Sequence, residues 1–266
     1  MKFSDFFESW LNESYYANAA KIGKSGDFYT AVSVGSFFGI CIAREILRSS
    51  ADFGATQALS LDAAASSGAS RQNLAANPSK LNLDVALAKK PQNSAKIAIV
   101  EIGSHDGRLL CDIAQAIFTL GGAAALDRFS FAIIEPHERL RELQRASFAE
   151  SFGGEIALKH FASAREAKFK DAIFVANELF DAFKCEAVDG ENMLFIKSGA
   201  AKFAPIKERE ILTLARRFGI SRGEIPVGYF CFAREICASA QRFYFIAFDY
   251  GQMGASGDFS LRIYRN

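Results

Sequence analysis

The chain has 266 residues, half of them hydrophobic, with 26 phenylalanines, one tryptophan and a formal net charge of +1. That length suits one large domain, or one domain with an appended subdomain, and the apolar content is enough for a full core. Lysine and arginine are scattered rather than gathered into a stripe, which excludes the electrostatic footprint of a nucleic-acid binder.

The first residues, Met1 to Glu8, carry charges where a signal peptide needs an unbroken apolar stretch. No apolar run approaches the roughly 20 residues of a bilayer span. A cytoplasmic chain without a membrane span is expected. Cys41, Cys111, Cys185, Cys231 and Cys237 form no Cys-x-x-Cys pair and read as buried thiols of a reducing compartment. His105, His137 and His160 lack metal-ligand spacing, so no metal is expected.

Residues 1–48 read as a compact helical segment. Phe3, Phe6, Phe7, Trp10 and Leu11 recur at helical spacing, and a second helix is predicted from Phe37 to Leu47. Between them lies the polar, glycine-containing stretch Lys21 to Thr30. Residues 49–95 are rich in Ala, Ser, Asn and Gln, contain Pro78 and Pro91, and have few large apolar side chains. Such a segment buries too little surface to offset its ordering entropy, so it reads as a mobile insertion.

From residue 96 to 266 the pattern is β-α alternation. Strands are predicted at Lys96–Ile102, Phe129–Ile134, Ile156–Lys159, Asp171–Ala176 and Phe243–Phe248, with helices at Arg108–Leu120 and His137–Phe148. Strands apolar on both faces and separated by helices imply a Rossmann-like α/β fold, a parallel sheet covered by helices on both sides. Glu186-Ala187-Val188, the turn Asp189-Gly190 and Met193 to Ile196 read as a β-hairpin excursion from that sheet.

Three places carry chemistry. The first strand ends in Glu101-Ile102-Gly103-Ser104-His105-Asp106-Gly107, a glycine-bearing turn that lets backbone approach a ligand closely. The second strand ends in Glu135, where a carboxylate can accept hydrogen bonds from both ribose hydroxyls of a nucleoside. Directly after the fourth strand stand Asn177, Glu178 and Asp181, at the end of the sheet where substrates of open α/β folds lie. A dinucleotide fingerprint needs three glycines and tolerates no extra negative charge beside a pyrophosphate, yet His105 fills the middle position and Asp106 adds an acid. S-adenosylmethionine (SAM) has no phosphate and carries two cationic groups, which suits Glu101 and Asp106 better.

These stretches resemble the MidA-like family of SAM-dependent methyltransferases. The resemblance runs through Tyr15-Tyr16, Gly26-Asp27-Phe28-Tyr29-Thr30-Ala31, Phe38-Gly39 and Val100-Glu101-Ile102-Gly103 with Gly107, Leu109 and Asp112. It continues through Glu135, Leu140-Arg141-Glu142-Leu143-Gln144, Asn177-Glu178-Leu179-Phe180-Asp181-Ala182 and, more weakly, Asp249-Tyr250-Gly251. The resemblance implies a class I methyltransferase fold, SAM as cofactor and, as in the family's best-known member, a protein arginine as acceptor, such as one on a respiratory complex I-type subunit. It implies that Gly103, His105 and Gly107 line the methionine end of SAM, Glu101 its ammonium group and Glu135 its ribose. Gly26, Asp27 and Phe28 would close over the cofactor, and Asn177, Glu178 and Asp181 would face the acceptor. The chain departs from the family at His105, at Val32-Ser33 and at Lys184, and it stops at Asn266 where family members continue. The strand at Phe243–Phe248 is therefore expected to be an open edge that a second copy could cover. A non-catalytic SAM-binding assembly factor and a small-molecule methyltransferase are the alternative readings.

Overall fold

A computed structural model describes residues 1–11, 32, 35–62, 96–251 and 257–260. The chain gathers into two compact units. The larger comprises Ala31–Val175 and Ser239–Ile246; the smaller comprises Met1–Thr30, Ala176–Ala238 and Ala247–Asn266.

The elements, in chain order, are α1 (Phe3–Ser9), α2 (Phe37–Asp62), β1 (Ile97–Ile102), α3 (Arg108–Leu126), β2 (Phe129–Ile134), α4 (Glu138–Phe152), β3 (Leu158–Phe161) and β4 (Phe169–Asn177). After a 3-10 turn at Phe180–Ala182 come β5 (Cys185–Asp189), β6 (Asn192–Lys197), β7 (Ala200–Pro205), α5 (Arg209–Phe218), β8 (Arg222–Pro226), α6 (Tyr229–Ser239) and β9 (Ala240–Phe248).

The principal sheet has the order β3-β2-β1-β4-β9. β1 and β2 run parallel from Ile97↔Phe129 to Ile102↔Ile134, and β3 runs parallel to β2. Every residue of β1 is buried, as expected for a strand covered on both faces. The larger unit's core joins Ile99, Phe129, Ile133 and Ile173 of the sheet to Ile42 and Ile46 of α2 and Leu110, Ile113 and Ile117 of α3. Each such side chain contributes roughly 1.5–3 kcal/mol by leaving water.

α2 and α3 pack closely because Gly39 is small: a Cβ there would stand 2.5 Å from Asp112 Cβ. α3 runs past the predicted Leu120 to Leu126, with a break in helical geometry at Gly122 (φ 69, ψ −173). An 18-residue stretch of it has a mean hydropathy of 1.7, enough by length and composition alone to cross a membrane. Here that apolar face is a core face, with Leu109, Leu110, Ile113, Ala114 and Ile117 all buried.

α2 also differs from expectation. It continues beyond Leu47 to Asp62, into the segment read as a mobile insertion. The alanines there favour helix, and Phe53 supplies the anchor. It is buried, packs edge-on against Tyr244 at 5.5 Å, and its carbonyl accepts from Arg242 Nη2 at 3.3 Å. Arg242 of β9 also grips the buried Asp171 of β4 through two bonds of 2.6 and 2.8 Å.

In the smaller unit the predicted hairpin is larger than expected. β5 and β6 belong to an antiparallel sheet of order β7-β6-β5-β8. Val188, Met193 and Ile225 of the sheet bury against Ile211, Leu214 and Ala215 of α5. β5 pairs only with the first two residues of β6, and the chain's first residues pair farther along it. Lys2 bridges Phe195, and Met1 and Ile196 exchange backbone bonds of 3.1 and 3.0 Å. α1 is held by the buried Glu186 of β5, whose carboxylate accepts from the Ser4 hydroxyl at 2.5 Å and the Ser4 N–H at 3.3 Å.

Candidate functional site

The larger unit brings five sequence-predicted residues together at the ends of β1 and β2. Because these strands are parallel and in register, Glu101 and Glu135 fall at neighbouring carboxyl ends. Both are buried, 3% exposed each. The turn between β1 and α3 has three residues in the left-handed region: Gly103 (φ 70), His105 (φ 47) and Gly107 (φ 83). At Gly107 a side chain would be excluded twice over, by its φ and by Gln144, whose Cα and Cβ lie 3.3 and 3.4 Å from a built Cβ. The turn closes with Gly107 N–H to Ser104 O at 2.9 Å, and Asp106 Oδ1 accepts from Arg108 N–H at 3.2 Å.

Glu101 accepts a 2.6 Å bond from the Ser104 hydroxyl. Burial pushes its carboxyl up to about 8, against the lowering by Ser104 and by the Leu110 N–H; Asp106 adds to the rise. Glu135 is also raised by burial, and is pulled back by the His137 N–H at 3.0 Å, the Gln144 amide and Arg141. Charging two buried carboxyl groups that flank a left-handed turn has a cost that a cation, or a pair of hydroxyl donors, offsets. A SAM ammonium and ribose are such groups, so these residues fit that cofactor.

The smaller unit brings Asn177, Glu178 and Asp181 together on the turn after β4. Glu178 sits in the left-handed region (φ 50) and its N–H donates to Phe248 O at 2.8 Å. A non-glycine residue there is strained, and strain of this kind gathers at functional sites. The turn is pinned by Asp249, whose Oδ2 accepts from the N–H groups of Leu179 at 3.1 Å and Phe180 at 2.8 Å. Tyr250 donates its hydroxyl to Asp181 Oδ2 at 2.5 Å. Beneath the turn lies an aromatic cluster of Phe180, Phe183, Tyr229 and Phe232, and the Tyr229 hydroxyl donates to Phe180 O at 3.0 Å.

Desolvation raises the Glu178 carboxyl, and the charges of Asp181 and Asp249 raise it further, while Asn177 lowers it. Asp181 is raised by desolvation and by Asp249 against the lowering by Tyr250. Two acids on this turn, with Asp249 bonded to it from just after β9, make a place for a cation. Gly26, Asp27 and Phe28 lie outside the described residues. Sequence reading assigned no role to Ser104, Gln144, Asp249 or Tyr250. The last three stood inside motifs, but nothing in the sequence names their partners.

Residues 84–257 match the family described as "Putative S-adenosyl-L-methionine-dependent methyltransferase". No curated protein matches the chain. Among solved structures the chain is similar to a superfamily member and "likely methyl transferase from Burkholderia thailandensis bound to S-adenosyl-homocysteine", at TM-score 0.62 and 22% identity, covering 92% of this chain and 57% of that one. It is also similar to a native crystal structure of an uncharacterized protein of the same superfamily and organism, at TM-score 0.55 and 23% identity, covering 92% of this chain and 56% of that one. The chain thus spans a little over half the length of these two proteins, and it shares their fold.

Proposed function

The chain belongs to the family of SAM-dependent methyltransferases that its motifs resemble, and from that premise we propose that it binds SAM on the larger unit and methylates an arginine side chain of a protein. The observation that carries the reading is the pair of buried carboxyl groups, Glu101 and Glu135, at adjacent strand ends around the left-handed turn. Glu101 takes the ammonium of SAM, Glu135 the ribose hydroxyls, and the Gly103–Gly107 backbone, His105 included, lines the methionine end. When bound, SAM supplies a methyl group on a cationic sulfur.

The acceptor side is read from the acidic turn. An arginine arrives charged, because its pKa lies above about 12. Glu178 and Asp181 would grip the guanidinium, with Asn177 orienting the turn. Methylation would form an N–C bond as the methyl–sulfur bond breaks and S-adenosylhomocysteine leaves as a neutral thioether, and the nitrogen would shed one proton, since substrate and product are both monocations. Glu178, raised by desolvation and by its acidic neighbours, is suited to take that proton.

Incubation with methyl-labelled SAM and a cell lysate, followed by acid hydrolysis, tests this. Labelled methylarginine is expected from the native chain and a loss of at least about tenfold from Glu178→Gln and from Asp181→Asn. Full activity in both variants would remove the roles assigned here. Label in an extractable small molecule instead of protein would move the acceptor class.

A further inference from the structure

Gln144 lies on α4, outside every role given above, and is fully buried. Its amide makes three hydrogen bonds, to three different segments. Nε2 donates to the His105 carbonyl at 3.0 Å and also bonds the Glu135 carboxylate. Oε1 pairs with His160 Nε2 of β3 at 3.0 Å. A carbonyl oxygen only accepts, so the amide nitrogen faces His105. Oε1 then faces His160, which must carry its proton on Nε2. Burial and the nearby Arg145 and Arg141 push the His160 imidazole below its ordinary value against the raising by Glu138, in keeping with a neutral ring. The backbone and stem of Gln144 also underlie Gly107. One residue therefore meets both the middle and the end of the turn.

We propose that Gln144 is a positioning residue for the cofactor: its amide fixes the left-handed His105 peptide and the Glu135 carboxylate in one arrangement, and His160 orients that amide. The inference rests on the reading of this turn and Glu135 as the SAM cradle. His105 stands where a side chain resists the local backbone, so an acceptor bond at its carbonyl offsets strain that a glycine would not bear. A cradle whose supporting side chain has one hydrogen-bonded orientation is ready before the ligand arrives.

The test uses the full chain and S-adenosylhomocysteine as probe. Gln144→Met keeps the volume and removes the amide. Calorimetric titration is expected to show affinity weakened about tenfold or more, since a buried carbonyl and carboxylate lose their donor. Imidazole nitrogen NMR, assigned against His160→Gln, is expected to show the Nε2–H form of His160 in the native chain and its loss in Gln144→Met. A folded Gln144→Met with native affinity would overturn the proposal. Should that variant fail to fold, the His160 pair decides: His160→Gln, which keeps an N–H donor, retains affinity, and His160→Leu loses it severalfold. Equal affinity in both would overturn the orienting chain. A native chain that does not bind the probe would instead overturn the cofactor reading, and this inference with it.

Discussion

Glu101 makes the most exposed prediction about ligand binding. Its carboxyl is raised by burial to about 8, so at pH 7 about nine tenths of the molecules carry it protonated. The proposed partner is an ammonium group, which requires the carboxylate. Binding at pH 7 should then release about 0.9 proton from Glu101. Titrations of S-adenosylhomocysteine in buffers of different ionisation enthalpy measure that number directly. Affinity should rise about tenfold from pH 6 to pH 7 and level off above about 8. Glu101→Gln should abolish the release and flatten the profile. The same shift bears on stability. A carboxyl that binds its proton more tightly folded than unfolded makes the fold lose stability as pH rises from about 4.5 to about 8, and no further beyond. Full ionisation corresponds to roughly 4–5 kcal/mol, an upper bound once the structure relaxes. Binding without proton release, or with affinity flat across this range, would refute the pairing of Glu101 with a cation.

Other perturbations follow from named contacts. Gly39→Ala places a carbon 2.5 Å from Asp112 Cβ, so chemical denaturation should show a loss of about 1–3 kcal/mol; an unchanged midpoint would contradict the close packing of α2 on α3. Asp249→Ala leaves the N–H groups of Leu179 and Phe180 without their acceptor. Methyl transfer should fall at least about tenfold, while affinity for S-adenosylhomocysteine stays native; parallel loss of both would assign Asp249 to the cofactor instead. His105→Gly relieves a side chain at φ 47 and should stabilise the fold by about 0.5–1 kcal/mol in thermal unfolding; destabilisation would mean that the His105 side chain, and not its backbone, sustains the turn.

The principal sheet was legible because its strands are apolar on both faces. β2 spans the predicted residues, and β1 begins one residue later. The smaller unit was legible in α1 and in its hairpin, and not beyond them. β7 is exposed along most of its length and offers no alternation. β8 contains Gly223 and ends at Pro226, residues that read as a turn. The second half of α2 reads as low-complexity sequence, with Phe53 alone to show where it anchors. At the site, strand ends and glycines mark themselves, since their function depends on local backbone. Gln144 and Asp249 do not, because each acts on a carbonyl or N–H far along the chain, 39 residues away for Gln144 and 70 for Asp249. A motif preserves such a residue without naming what it holds.

The most direct test of the central claim is calorimetric titration of the purified chain with SAM and S-adenosylhomocysteine, with NAD as control. Saturable binding of both adenosyl ligands, lost in Glu135→Ala and absent with NAD, is the predicted result. A folded chain that binds neither, or that binds NAD as well, would contradict the assignment of Glu101, Glu135 and the left-handed turn to SAM.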